Sequence, residues 1–138
     1  MSTTIRPELS ENNKYFIPRH RYYELKHFCL QYPDWKKQYV LLNGCERKPE
    51  LYLRVKHSNV DDPTARIAEE KVFFSDRMDT VKKAAMETDE VFGNYILQAV
   101  TEGLSYDVLK LRLNIPCGKD TYYELYRRFF WLLDKWRG

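Results

Sequence analysis

One stretch, residues 61–88 with the sequence DDPTARIAEEKVFFSDRMDTVKKAAMET, constrains the fold more than any other. Ile67, Phe74, Met78, Val81 and Ala85 supply an apolar seam at helical spacing, about 30 Å long at the usual rise. Asp62 offers a side-chain acceptor to the free N–H groups of the first turn, and Pro63 fits that turn. The acidic pair also suits the positive end of the helix dipole. A rod of this length needs other elements to bury its seam, and the rest of the sequence supplies mainly helices.

Before it, YFIPRHRYYELKHFCLQY opens a helix after Pro18, with Tyr22, Leu25, Phe28 and Cys29 near one face. PDWKKQYVLLNG reads as a second helix, with Pro33 in its first turn and Gly44 just past its end. Trp35, Tyr39 and Leu42 lie along one side, and the two segments are expected to form a helical hairpin. In CERKPELYLRVKHSNVDDP, Leu51, Leu53 and Val55 alternate with Tyr52, Arg54 and Lys56. That pattern fits a short strand, but a strand without a partner is unstable, so an extended connector or short helix stays equally open. After the long helix, DEVFGNYILQAVTEG has Asp89 as its cap and Gly103 as its stop. The expectation is an all-α fold of five or six helices. It comprises a frayed terminus over 1–13, a helical region over 14–88 and a C-terminal module over 89–138.

Composition narrows the functional classes. Hydrophobic residues make up 43% of the 138 and aromatics 15%, so most of the chain should fold. Cys29, Cys45 and Cys117 are far apart and form no CxxC pair, and His20, His27 and His57 lack zinc-ligand spacing. Free thiols, no metal and no cofactor are expected. The polar start MSTTIRPELS is no signal peptide, and no apolar run approaches a membrane span, which points to a soluble, cytoplasmic chain. No nucleophile elbow, phosphate loop or metal triad is present, so an enzyme is not expected.

Residues 103–133, GLSYDVLKLRLNIPCGKDTYYELYRRFFWLL, read as two helices around a turn. Ser105 caps the first, which turns Val108, Leu109 and Leu113 inward. Asn114 tolerates the left-handed conformation needed at the helix end. Ile115 is an apolar peg, and Pro116 stops the helix. In the second helix Tyr122, Leu125, Tyr126, Phe129, Leu132, Leu133 and Trp136 form the inner face. Lys119, Thr121, Tyr123, Glu124, Arg127 and Arg128 remain outside or on the flank. This is the pattern of a helix-turn-helix, whose second helix enters a major groove of double-stranded DNA. Thr121, Tyr123 and Glu124 would then lie nearest base edges, with Lys119, Arg127 and Arg128 nearer phosphates. Charge agrees: residues 103–138 carry seven basic against four acidic groups, whereas residues 61–90 carry five against nine. Lys36, Lys37, Arg47, Lys48, Arg54 and Lys56 form a second basic stretch, read mainly as solvated.

Gly103, Leu104, Ser105, Tyr106, Ile115, Pro116 and Gly118 resemble the helix-turn-helix of sigma-factor promoter-reading domains. The segment IPCGKDTYYELYRRFFWLL is similar to phage-encoded late-gene transcription regulators of the ArpU/RinA type. The resemblance covers about the last quarter of the chain and implies a phage or prophage DNA-binding regulator. The chain departs from the sigma pattern at Lys110, where a small residue is usual, and at Asp120, where a buried one is. Either the register shifts, with Tyr122 as the buried anchor, or the helices cross at another angle. Two further expectations stand beside this one. One is a phage protein that binds and inhibits a host protein, such as a defence nuclease or RNA polymerase. The other is a homodimer formed through the aromatic C-terminal helix or the long acidic helix.

Overall fold

The computed structural model describes residues 13–56 and 62–138, excepting the side chains of 53–56. The helices are α1 (Arg19–Leu30), α2 (Tyr32–Arg47), α3 (Pro49–Lys56), α4 (Pro63–Thr88), α5 (Gly93–Glu102), α6 (Tyr106–Leu113) and α7 (Lys119–Arg137). No strand occurs among the described residues, and the all-α class is borne out. Apart from Asn13, the terminus expected to fray lies outside the described residues.

The alternating segment after Gly44 resolves as the short helix α3. Pro49 starts it, Glu50 sits in its first turn, and Tyr52 is buried. Nor does Gly44 end α2, which continues to Arg47. Cys45 extends the buried face begun by Trp35 and Leu42, so packing outweighs the low helix propensity of one glycine. At α4 the expected cap is present: the Ala65 N–H donates to Asp62 Oδ1 at 3.2 Å.

Among the described residues the helices pack as two compact units, one within 32–79 and the other of 13–31 together with 80–138. This grouping differs from a linear division at residue 88. In the 32–79 unit, α2 packs on α3. Leu42, Cys45, Tyr52 and Ile67 form its core, with Leu51 and Phe74 half-buried against them. Tyr52 donates to Glu70 Oε1 at 3.3 Å, and Lys71 Nζ meets Glu46 Oε2 at 2.7 Å.

In the other unit, α1 packs on α5 and α7, and α5 packs on α6 and α7. The first two helices, expected to form a hairpin, fall in different units. At α1, Tyr22, Leu25, Phe28 and Cys29 are all buried, the set read from periodicity. Tyr22 meets Phe130 edge-on at 5.1 Å, and its hydroxyl lies 2.6 Å from that of Tyr126. Arg21 Nε pairs with Asp134 at 2.5 Å, and the Arg137 guanidinium lies 3.9 Å from the centre of the Phe28 ring. The second half of α4 buries Val81, Ala84, Ala85 and Thr88. Gly93 opens α5 where a Cβ would lie 3.0 Å from the Ala85 carbonyl oxygen, so a side chain there would require α4 to give by a few tenths of an ångström.

Phe129 is fully buried in this unit. Phe129→Ala should cost about 3–5 kcal/mol, as for other buried aromatics, measured as a shift of the urea unfolding midpoint. An effect below about 1 kcal/mol would mean that the aromatic core of α7 is not formed in solution.

Candidate nucleic-acid interface

The approach to α7 is set by local backbone chemistry. Gly103, at φ 70, ends α5, and the following Leu104 N–H returns to the Ala99 carbonyl at 2.9 Å. The side chain of Ser105 accepts from the Val108 N–H at 3.3 Å and starts α6. Asn114 ends α6 in the left-handed region, at φ 50 and ψ 50, with its N–H bonded to the Lys110 carbonyl. Each was expected of these residue types. Ile115 is the buried peg, and Leu109 and Tyr122 are buried with it. Lys110, the residue too large for a close crossing, stays exposed and donates through Nζ to the Ile115 carbonyl at 3.2 Å. Asp120 is exposed and Tyr122 is the buried residue at the start of α7.

Tyr106 holds the two helices in register, a role the sequence reading missed. Its hydroxyl donates to the Cys117 carbonyl at 2.7 Å, and its ring lies 5.6 Å from that of Tyr122. The first residue of α6 is therefore held to the turn by its hydroxyl and to the first turn of α7 by its ring. An aromatic at the first helical position, after a Ser cap and ahead of a Tyr-Tyr pair, is the only signal in the sequence.

On α7, Thr121, Glu124 and Arg128 are exposed at i, i+3 and i+7 spacing and share one outward stripe. Lys119 is exposed at the helix start. Arg127 is half-buried on the flank, with its Nε buried and unpaired. Tyr123 departs from the outward or flanking position expected of it: it is 7% exposed. The accessible charges of the early turns are mixed, with Asp120 and Glu124 beside Lys119 and Arg128. Leu111, on α6, is 87% exposed between exposed Lys110 and Arg112.

Beneath this face lies a cluster of phenols. Burial raises Tyr122 and Tyr126 well above the ordinary tyrosine range, with neighbouring phenols adding to the shift. Burial also raises Tyr123, and Asp107 contributes. Among the described residues no group of His, Cys, Asp and Glu could hold a metal, and no helix is long and apolar enough to cross a membrane. Cys29, Cys45 and Cys117 are free thiols.

Two outcomes follow from the phenols. The Tyr122 hydroxyl is buried without a hydrogen-bond partner, so Tyr122→Phe should leave stability unchanged or raise it by about 1 kcal/mol. Tyr106→Phe, which deletes a made bond, should lower stability by about 1 kcal/mol in the same urea titration. Equal losses in both would contradict this bonding scheme. The raised tyrosines also fix the sign of the alkaline response. Unfolded phenols ionise near pH 10, while the folded ones resist. Stability from this source is complete below about pH 10 and falls as pH rises above it, which unfolding curves across that range will test.

Compared with known proteins, the chain matches no family model, no curated protein and no solved structure.

Proposed function

We propose that the chain binds double-stranded DNA through α6, the turn over residues 114–118 and α7, as a phage or prophage transcriptional regulator. The observation that supports this most is the turn itself. A Ser-capped helix, a left-handed Asn114 and a buried Ile115 lead into a helix whose first three turns expose Thr121, Glu124 and Arg128 on one stripe. In this reading Thr121 and Glu124 approach base edges, and Lys119, Arg127 and Arg128 approach phosphates. Tyr123 serves by holding α7 rather than by touching DNA.

A second reading has its own observation. Leu111 is 87% exposed on α6, and Asp120 and Glu124 dilute the positive charge of α7. An exposed leucine on α6 and a mixed charge on α7 suit a protein partner better than a phosphate backbone. In that reading the chain is a phage-encoded inhibitor that engages a host protein with the same surface.

Duplex binding measured across a salt series separates the two. Under the DNA reading, Arg127→Ala with Arg128→Ala weakens binding to all sequences and lowers the salt slope by about one to two units, about 0.9 per lost phosphate contact. Thr121→Ala instead alters preference among sequences, by about 1–3 kcal/mol if it touches a base directly. A wild-type chain that binds no duplex at low salt ends the DNA reading in favour of the protein partner.

A further inference from the structure

The exposed face of α2 carries positive charge that the chain leaves unmatched. Lys36, Lys37, Val40, Gly44 and Arg47 fall within an arc of about 100° on the helix, and Lys48 follows at its end. All six are exposed, Val40 at 62%. No Asp or Glu lies in that arc. Asp34 sits in the first turn outside it, and Glu46 turns to α4, where Lys71 Nζ meets it at 2.7 Å. Among the described residues none of the four cations is in an ion pair, whereas Arg21 and Lys71 are both matched to carboxylates of the chain itself.

The cations stand in two pairs, one near each end of the helix. Lys36 and Arg47 are separated by about 16 Å along the axis at the usual rise. Between the pairs the face is low. Val40 is small, and a Cβ at Gly44 would meet nothing within 4 Å. No packing among the described residues calls for a glycine that weakens the helix, whereas close approach of an outside backbone does. The make-up of the face says what approaches. Protein interfaces are enriched in aromatic residues and depleted in Lys, and this face holds Lys36, Lys37 and Lys48 with no aromatic. A helix lying in a membrane surface needs a broad apolar side, and of the large apolar side chains of α2 only Val40 and Leu41 are exposed. Separated, unpaired cations over an uncluttered surface suit phosphates.

We propose that α2 is a second nucleic-acid contact, bridging the two rims of the major groove of duplex DNA. The groove is about 12 Å wide, so cation pairs about 16 Å apart reach a backbone strand on each side. Lys36 and Lys37 neutralise phosphates of one strand, and Arg47 and Lys48 those of the other. Val40 and Gly44 face the groove between them and bring no polar group that could read a base. The contact therefore holds duplex without regard to sequence. It rests on the reading that the chain binds duplex DNA, but on no residue of α6 or α7.

Fluorescence anisotropy of the full chain on a mixed-sequence duplex, across a salt series, tests it. Lys36→Gln with Lys37→Gln, and Arg47→Gln with Lys48→Gln, should each lower the salt slope by about two units, about 0.9 per lost phosphate contact. Affinity for unrelated sequences should fall by the same factor. Lys82→Gln with Lys83→Gln removes as much charge from exposed positions of α4 and should leave the slope unchanged. Gly44→Leu places its side chain in open space, so the thermal midpoint should hold or rise while duplex binding weakens. The substituted residues are exposed, so circular dichroism should stay native in all of these variants. A slope lowered by the α2 variants but not by Arg127→Ala with Arg128→Ala supports this contact and ends the reading of α7. The reverse pattern overturns this contact alone. Equal losses in the α2 and α4 variants overturn it too, as does a Gly44→Leu chain that binds as tightly as wild type. So does a wild-type chain that binds phosphatidylglycerol vesicles but no duplex.

Discussion

The packing of Tyr22 against Phe130 and Tyr126 joins the start of the described chain to its last helix. At 12 residues, α1 is too short to persist alone in water. Its stability comes from burying Tyr22, Leu25, Phe28 and Cys29, with Leu25 and Phe28 each contributing about 1.5–3 kcal/mol. The flank of α7 beneath it is aromatic for the same reason. Polar contacts at the margin, Arg21 with Asp134 and Arg137 over Phe28, then select one register of α1 among several equally greasy ones. With α1 committed to that flank and α5 also packed on α7, the stripe of Thr121, Glu124 and Arg128 is what α7 leaves to solvent.

The two buried faces of Tyr122 and Tyr123 show how little freedom the turn has. Adjacent residues on a helix point about 100° apart, so both can be buried only if neighbouring structure wraps that arc. The Tyr106 ring supplies one side of the wrap, and the Tyr126 ring supplies another. The geometry offered to a partner is thus preset by a core, not by a flexible loop. Preset geometry favours recognition of a rigid target, because less side-chain and backbone entropy is lost on binding.

Signals that act over a few residues were legible in the sequence. Asp62 and Ser105 as caps, Asn114 as the left-handed residue and Ile115 as the peg all depend on chemistry within one turn of the chain. The buried set of α1 was legible too, since periodicity reports which side is apolar. What that side packs against was not. The pairing of α1 with α5 and α7 depends on partners about 70 to 100 residues away, to which local pattern is blind. The burial of Tyr123 has the same origin: an amphipathic ring reads equally well as flank or core until its neighbours are placed around it. At Gly44 the stop signal was real but weak, and burial of Cys45 one residue later overrode it.

The unit holding α1 and α7 is interrupted by residues 32–79, which form the other unit. Synthesis runs from the N-terminus, so α1 leaves the ribosome well before α7 exists. The intervening unit is contiguous and has its own core, so it can form first. Until α7 arrives, α1 carries an uncovered apolar face, a state open to chaperones and to wrong partners. Closing the Tyr22–Tyr126 contact spans a sequence separation of 104 residues, and the loop entropy must be met before that contact returns any stability. Prior folding of the inserted unit shortens the effective loop, which makes it an aid to assembly of the unit that surrounds it in sequence.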